Sequence, residues 1–115
     1  MDKFRRGMLV ALAALPLVQG AQAQGVGLSG AYVAYGLNPD GSAYQGDVTI
    51  IHAGQSVAMT WRIGNDTYRG EGTLEGRVLS VNWGDGQPVI YVVMPNGALH
   101  GTWADGTALE KLVPD

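Results

Sequence analysis

Turn-forming segments recur about every 10 residues along most of this chain, and this spacing constrains the fold more than any other feature. Most of them place Gly beside Asp, Asn or Pro, and they lie at 38–42, 52–55, 64–66, 74–76, 84–88, 95–97 and 104–106. The runs between them are short and rich in Val, Ile, Thr, Tyr and Trp, near 29–36, 44–51, 56–63, 67–74, 77–83, 88–94, 98–103 and 107–112. Such a pattern is typical of a barrel or a sandwich. We predict an all-β fold, an antiparallel up-and-down meander of about eight short strands in a closed or nearly closed small barrel.

The first 23 residues have the three-part layout of a secretory signal peptide. Basic residues come first, an apolar run over 8–18 follows, and the small-residue pattern Ala21-Gln22-Ala23 comes last. The run of about 11 residues is too short to span a membrane, which takes roughly 20. We expect cleavage after Ala23 and export to the periplasm or the medium, with no membrane insertion after cleavage. An uncleaved anchor is the alternative, and Arg5-Arg6 leaves twin-arginine export open beside the general secretory route.

Residues 24–115 then form one small domain whose charge excludes some partners. The formal net charge changes from −3 to −5 on cleavage, because the leader carries Lys3, Arg5 and Arg6 against Asp2. Nucleic acids and anionic membranes reward clustered Lys and Arg, so neither is expected as a partner. The chain has no cysteine, so its core must hold the domain together without disulfides.

Alternation along the predicted strands directs all three tryptophans of the chain inward. Trp61, Trp83 and Trp103 end the third, fifth and seventh strands, which run the same way in a meander. We therefore expect the three rings to cluster at one end of the barrel, as a sealing plug or as a binding mouth. If a cavity exists, its ligand-binding residues are Trp61, Trp83, Trp103, Tyr44 and Tyr68.

Several glycines share the inward face with these rings, which is unusual for a core face. Gly70 and Gly72 in the segment TYRGEGTL are two examples, and Gly46 and Gly101 are two more. Inward glycines permit strand bending and leave room for a large ring from a neighbouring strand. They would also be expected around a ligand cavity, because eight strands enclose space for side chains or one small ligand. The sequence favours a filled aromatic core, and a ligand cavity remains the alternative.

The residue types needed for catalysis are sparse, so a non-enzymatic protein is expected. His52 is predicted in a turn and His100 on the outer face, with no cysteine and no nucleophile-elbow motif. Asp-Gly and Asn-Gly segments read as hairpin turns rather than calcium loops. Glu71 and Glu75 flank one turn and are expected in solvent. No metal site and no cofactor are predicted.

One segment cannot be assigned by alternation. The run PVIYVVM (88–94) is apolar on both faces, so it is either covered on both sides or part of a contact surface. We assign a candidate partner surface to Tyr91 in this run, with Arg69, Glu71 and Arg77 as rim charges.

The motifs YxG, W-I-G, YRGxGxLxG, VxWGD and GTWADG, spread over about residues 30–113, carry a resemblance. The chain resembles a group of small exported proteobacterial proteins whose members are often labelled fibronectin-binding protein or uncharacterised. It is more weakly similar to avidin-like barrels, in which GTW and strand-end tryptophans recur, but it lacks an obvious set of polar ligands for biotin.

The resemblance implies an exported binding module, a fibronectin-binding-like adhesion protein whose partner is a host or envelope protein. One alternative is a carrier of a small hydrophobic ligand, of lipocalin or avidin-like type. Another is an inhibitor of a host enzyme, which would need a protruding loop.

Overall fold

The computed structural model describes residues 27–115, which form a closed antiparallel β-barrel with no helix among them. The predicted signal peptide lies outside the described residues. The eight strands are β1 (Gly30–Leu37), β2 (Ala43–Ala53), β3 (Ser56–Ile63), β4 (Asp66–Glu75), β5 (Val78–Asn82), β6 (Val89–Val93), β7 (Leu99–Trp103) and β8 (Ala108–Pro114). The predicted fold class is confirmed, and each strand lies within two residues of its expected limits.

Each strand pairs with its neighbours in the chain, and β1 pairs with β8 to close the sheet. The β1–β8 register runs from Tyr32 opposite Pro114 to Leu37 opposite Leu109. Closure leaves no free edge in the barrel, so its backbone hydrogen-bonding groups do not offer a template for an added strand.

The core follows the predicted alternation. Val57, Met59 and Trp61 of β3 are buried, as are Leu79 and Val81 of β5. Strand β6 is the one that alternation did not settle. Its side chains at positions 89, 91 and 93 are buried, whereas Val92 is 45% exposed. This strand therefore faces the core on one side only.

The turns follow the expected chemistry at the tight hairpins. Gly54, between β2 and β3, and Gly64, between β3 and β4, both have positive φ, at 63° and 62°. Glycine adopts this left-handed conformation without the steric cost that a Cβ imposes. These residues allow the strands to reverse within two residues, which keeps the connections short.

The segment before β1 closes the end of the barrel opposite the three tryptophans. Leu28 is only 2% exposed and belongs to the core cluster. Its backbone N–H donates to Nδ1 of His52 at 3.1 Å, and its carbonyl accepts from the Tyr32 hydroxyl at 2.7 Å.

His52 was predicted in a turn, and this is wrong, since it lies in β2 one residue before the end of that strand. Its Nδ1 must be unprotonated to accept, so Nε2 carries the proton and donates to the Gly54 carbonyl at 2.8 Å.

Replacing His52 by Ala should weaken the packing of the segment before β1 against the end of the barrel, because the Leu28 N–H loses its acceptor. We expect a loss of about 1–2 kcal/mol in the free energy of unfolding, measured by urea denaturation. His100, which is exposed on β7, supplies the matched control, and His100→Ala should leave stability within about 0.5 kcal/mol of the wild type. Equal losses for the two variants would contradict the anchoring role of His52.

Candidate functional site

A cavity of about 360 Å³ lies at the end of the barrel where the odd-numbered strands finish and the even-numbered strands begin. Aromatic side chains make up most of its wall. It is lined by Asn38, Tyr44, Trp61, Ile63, Tyr68, Trp83, Val89, Trp103 and Glu110. The three tryptophans therefore lie at one end of the barrel, as the strand directions predicted.

All five aromatic residues named from the sequence line this cavity. Trp61 is the deepest, at 4% exposure, whereas Tyr68 is 39% exposed and stands at the mouth. Four of the rings form a continuous arc of edge-to-face contacts. Their centroids are 6.3 Å apart for Tyr44 and Trp103, 6.1 Å for Trp103 and Trp83, and 6.0 Å for Trp83 and Tyr68. Such contacts hold each ring in a defined orientation.

Glu110 on β8 is the residue that the sequence reasoning missed. It is only 5% exposed, and it is the buried charged residue of the barrel's described part. Oε1 accepts a hydrogen bond from the Tyr44 hydroxyl at 2.7 Å. Oε2 accepts from the Trp61 indole N–H at 3.0 Å and from the Tyr91 hydroxyl at 2.5 Å. Its hydrogen-bond partners among residues 27–115 are thus uncharged aromatic donors.

The two indole groups at this site can only donate, and each donates to a tyrosine hydroxyl. Trp103 Nε1 donates to the Tyr44 hydroxyl at 3.1 Å, and Trp61 Nε1 donates to the Tyr91 hydroxyl at 3.2 Å. Each tyrosine hydroxyl donates its own proton to Glu110. The carboxyl group thus accepts a hydrogen bond from each of its three neighbours. This arrangement suits an ionised carboxylate, because hydrogen bonds to the charged form stabilise it.

The strand register explains how the two tyrosines reach the carboxylate. Glu110 lies between Gly36 on β1 and Gly101 on β7 as its direct cross-strand neighbours. Tyr44 is paired with Gly36 on its other side, and Tyr91 with Gly101. One row across five strands thus reads Tyr44, Gly36, Glu110, Gly101, Tyr91, and each phenol ring crosses a glycine to reach the carboxylate.

The glycines leave space that is already filled, which answers the question raised by the sequence. A Cβ at Gly36 would overlap the ring of Tyr44, and a Cβ at Gly101 would overlap the ring of Tyr91. A Cβ at Gly70 would lie 2.8 Å from the Val81 side chain and 3.2 Å from the Trp61 ring. The inward glycines therefore seat rings and backbone, as the favoured reading predicted. The cavity is nevertheless present, and it lies beyond these rings at the barrel mouth.

Trp83 carries the one buried side-chain polar atom in residues 27–115 that has no hydrogen-bond partner, its indole Nε1. The ring of Trp83 contacts those of Tyr68 and Trp103 edge to face, at interplanar angles of 82° and 88°. A buried indole N–H without an acceptor costs stability.

Burial raises the pKa of Tyr91 well above its usual value, and the adjacent Glu110 charge raises it further. The pKa of Tyr44 is raised by the same two causes in the same order. Burial also raises the pKa of Tyr32 at the opposite end. These tyrosines keep their protons in the folded protein at pH values where an unfolded chain loses them.

The four residues assigned to a partner surface do not all lie on the surface. Arg69 and Glu71 are exposed on the outer face of β4, and Arg77 is exposed in the turn after it, where its Nη1 donates to the Val93 carbonyl at 3.2 Å. The assignment of Tyr91 to this surface is wrong, because its side chain is 0% exposed and lies inside the barrel. The apolar residues on both sides of it hid its orientation from the alternation pattern.

Other exposed and titratable groups add little to this site. A groove on the outer face runs over β1, β2, β7 and β8, and its lining includes Tyr35, Leu37 and Leu109. Among residues 27–115, no group of three His, Asp or Glu side chains is placed to hold a metal ion. The same residues contain no helix long and apolar enough to cross a membrane.

A comparison with protein-family models finds no match for this chain, and a comparison with curated proteins finds none either. The resemblance to exported fibronectin-binding-like proteins and to avidin-like barrels therefore stays a prediction.

We call Gly36 and Gly101 the glycine seats, because the rings of Tyr44 and Tyr91 lie on them, and we expect both to be needed for stability. Gly36→Ala and Gly101→Ala should each lower the free energy of unfolding by about 2 kcal/mol or more, because the new methyl displaces a tyrosine from Glu110. Gly27→Ala is the control, since nothing in the described structure lies within 4 Å of its added Cβ. Chemical denaturation compares the three variants. If the free energy of unfolding falls no more at positions 36 and 101 than at position 27, the tyrosine rings do not depend on these two glycines.

The raised tyrosine pKa values predict a loss of stability in alkali. Above about pH 10 the unfolded chain releases tyrosine protons that the folded protein keeps, so the free energy of unfolding falls as pH rises. Each such tyrosine contributes about 1.4 kcal/mol per pH unit to this fall. Urea denaturation between about pH 8 and 11 should show the stability intact below about pH 10 and decreasing above it. Tyr91→Phe should reduce the slope, and an unchanged slope would contradict the assignment.

Proposed function

We propose that this barrel is a binding protein that holds a small ligand in the aromatic cavity. The observation that carries the proposal is the cavity itself, whose volume of about 360 Å³ is within the usual range for small-molecule sites. Its walls are mostly aromatic, and one buried polar group, the Glu110 carboxylate, is fixed by three donors. Apolar walls with a few fixed polar groups are the common composition of ligand sites.

The lining residues favour binding over chemistry. Those within the described part of the chain include one carboxyl group, and none is a serine, cysteine, lysine or histidine that could serve as nucleophile or proton shuttle. We therefore propose a non-enzymatic carrier. Export through the predicted signal peptide would place it in the periplasm or outside the cell.

Adhesion to a host or envelope protein is the second candidate, and an exposed apolar strip favours it. Leu37 on β1 and Leu109 on β8 are direct cross-strand neighbours and are 41% and 53% exposed. Tyr35 lies beside them, with the Lys111 ammonium 5.9 Å from its ring centre. A protein partner would rest on this strip, with the rim charges Arg69, Glu71 and Arg77 elsewhere on the surface. An enzyme inhibitor has weaker support, since the longest connection between strands spans only 83–88.

A matched pair of tyrosine variants tests the carrier function. Tyr68 lines the cavity mouth and Tyr35 lines the outer groove, and their exposures are similar at 39% and 44%. Tyr68→Ala should weaken ligand binding about tenfold through loss of one ring contact, whereas Tyr35→Ala should not change it. Because all three tryptophans line the cavity, intrinsic fluorescence reports on its occupancy. The probes are the neutral amine N-phenyl-1-naphthylamine and the cations tetramethylammonium and choline.

Saturable quenching by at least one probe, with an affinity about tenfold lower in Tyr68→Ala and unchanged in Tyr35→Ala, supports the carrier function. The opposite pattern assigns binding to the outer groove. No saturable change with any probe would overturn the proposal.

A further inference from the structure

We infer that the ligand of this cavity is a small organic cation, an ammonium group on a compact apolar body, bound between the tryptophan rings and the Glu110 carboxylate. This inference rests on the proposed function and names its ligand class.

The first observation is a negative charge that the barrel leaves uncompensated. Glu110 is 5% exposed, and burying a carboxylate costs free energy unless it is paired. Its three hydrogen bonds come from neutral donors, which spread the charge without cancelling it. No lysine, arginine or histidine within residues 27–115 is among those that line the cavity. A ligand cation would supply the missing counter-charge.

The second observation is the free capacity of the carboxylate itself. An ionised carboxylate offers about four acceptor positions on its two oxygens. Oε2 accepts two hydrogen bonds and Oε1 accepts only one, from Tyr44. Glu110 lines the cavity, so an ammonium group bound there would lie near a carboxylate that has acceptor capacity left.

The third observation is the chemistry of the walls. The faces of indole and phenol rings carry partial negative charge and attract cations, tryptophan most strongly. Trp61, Trp83 and Trp103 line the cavity together with Tyr44 and Tyr68. Anionic ligands are disfavoured by the same ring faces and by Glu110. Neutral apolar ligands would gain the wall contacts but would leave the carboxylate without a counter-charge.

The hydrogen bonds that fix Glu110 also preorganise its carboxylate for binding a cation. Both tyrosines are held by indole donors and by the glycine seats beneath their rings. The carboxylate therefore does not need to reorganise when a cation enters, and a fixed charge binds more tightly than one that must first be ordered.

The test compares choline with 3,3-dimethylbutan-1-ol, which has the same shape with carbon in place of the charged nitrogen. Binding is followed by tryptophan fluorescence and by displacement of N-phenyl-1-naphthylamine. Choline should bind the wild-type protein at least about tenfold more tightly than the alcohol. Glu110→Gln should remove most of this preference. Glu71→Gln, which removes an exposed charge from the outer face, should keep it.

The outcomes distinguish a failure of the cation inference from a failure of the carrier function. If the alcohol binds as tightly as choline, or if only the neutral amine binds, the cation inference is overturned while the carrier function stands. If no probe binds saturably, both fail. If Glu110→Gln does not fold, as checked by circular dichroism, the wild-type comparison of choline with the alcohol decides the result.

Discussion

The arrangement of this barrel depends on one buried carboxylate that is held by aromatic donors. Glu110 accepts hydrogen bonds from Tyr44, Trp61 and Tyr91, and these donors bring together strands β2, β3, β6 and β8. Removing an ion from water is costly, and the cost is offset only in part here, by charge-assisted hydrogen bonds that are stronger than neutral ones. A hydrophobic side chain in the same place would avoid that cost. The charge has a use in the ligand site that we propose, where it would attract a cation.

The same row of residues joins fold and site. Because Gly36 and Gly101 flank Glu110 directly, the tyrosines beyond them can lie across the glycines and reach the carboxylate. The rings then fill the middle of the barrel, while Trp83, Trp103 and Tyr68 continue the aromatic wall to the mouth. The opposite end is closed by Leu28, which is held through His52 and Tyr32. A barrel of this size thus has a packed interior, one sealed end and one open aromatic end.

Much of this could be predicted from the sequence, because turn spacing and alternation are local properties. The strands, the inward tryptophans and their common end all follow from counting residues. Tyr91 could not be placed, since Val or Ile on both sides gives the same pattern for either orientation. Glu110 had a signal that was not used, because Ala108 and Leu112 put it on the inward face of β8. The role of the glycines depends on which residue lies opposite each one, and that register is set by barrel closure rather than by any single strand.

The central claim is that Glu110 is an ionised carboxylate inside the barrel. The chain has only three glutamates, at positions 71, 75 and 110, so labelling their side-chain carboxyl carbons with ¹³C gives a simple NMR spectrum. The signal lost in Glu110→Gln identifies the buried group. We expect that signal at neutral pH to have the chemical shift of a carboxylate in the ligand-free protein. A chemical shift of a protonated carboxyl group would contradict the hydrogen-bond directions on which the site depends.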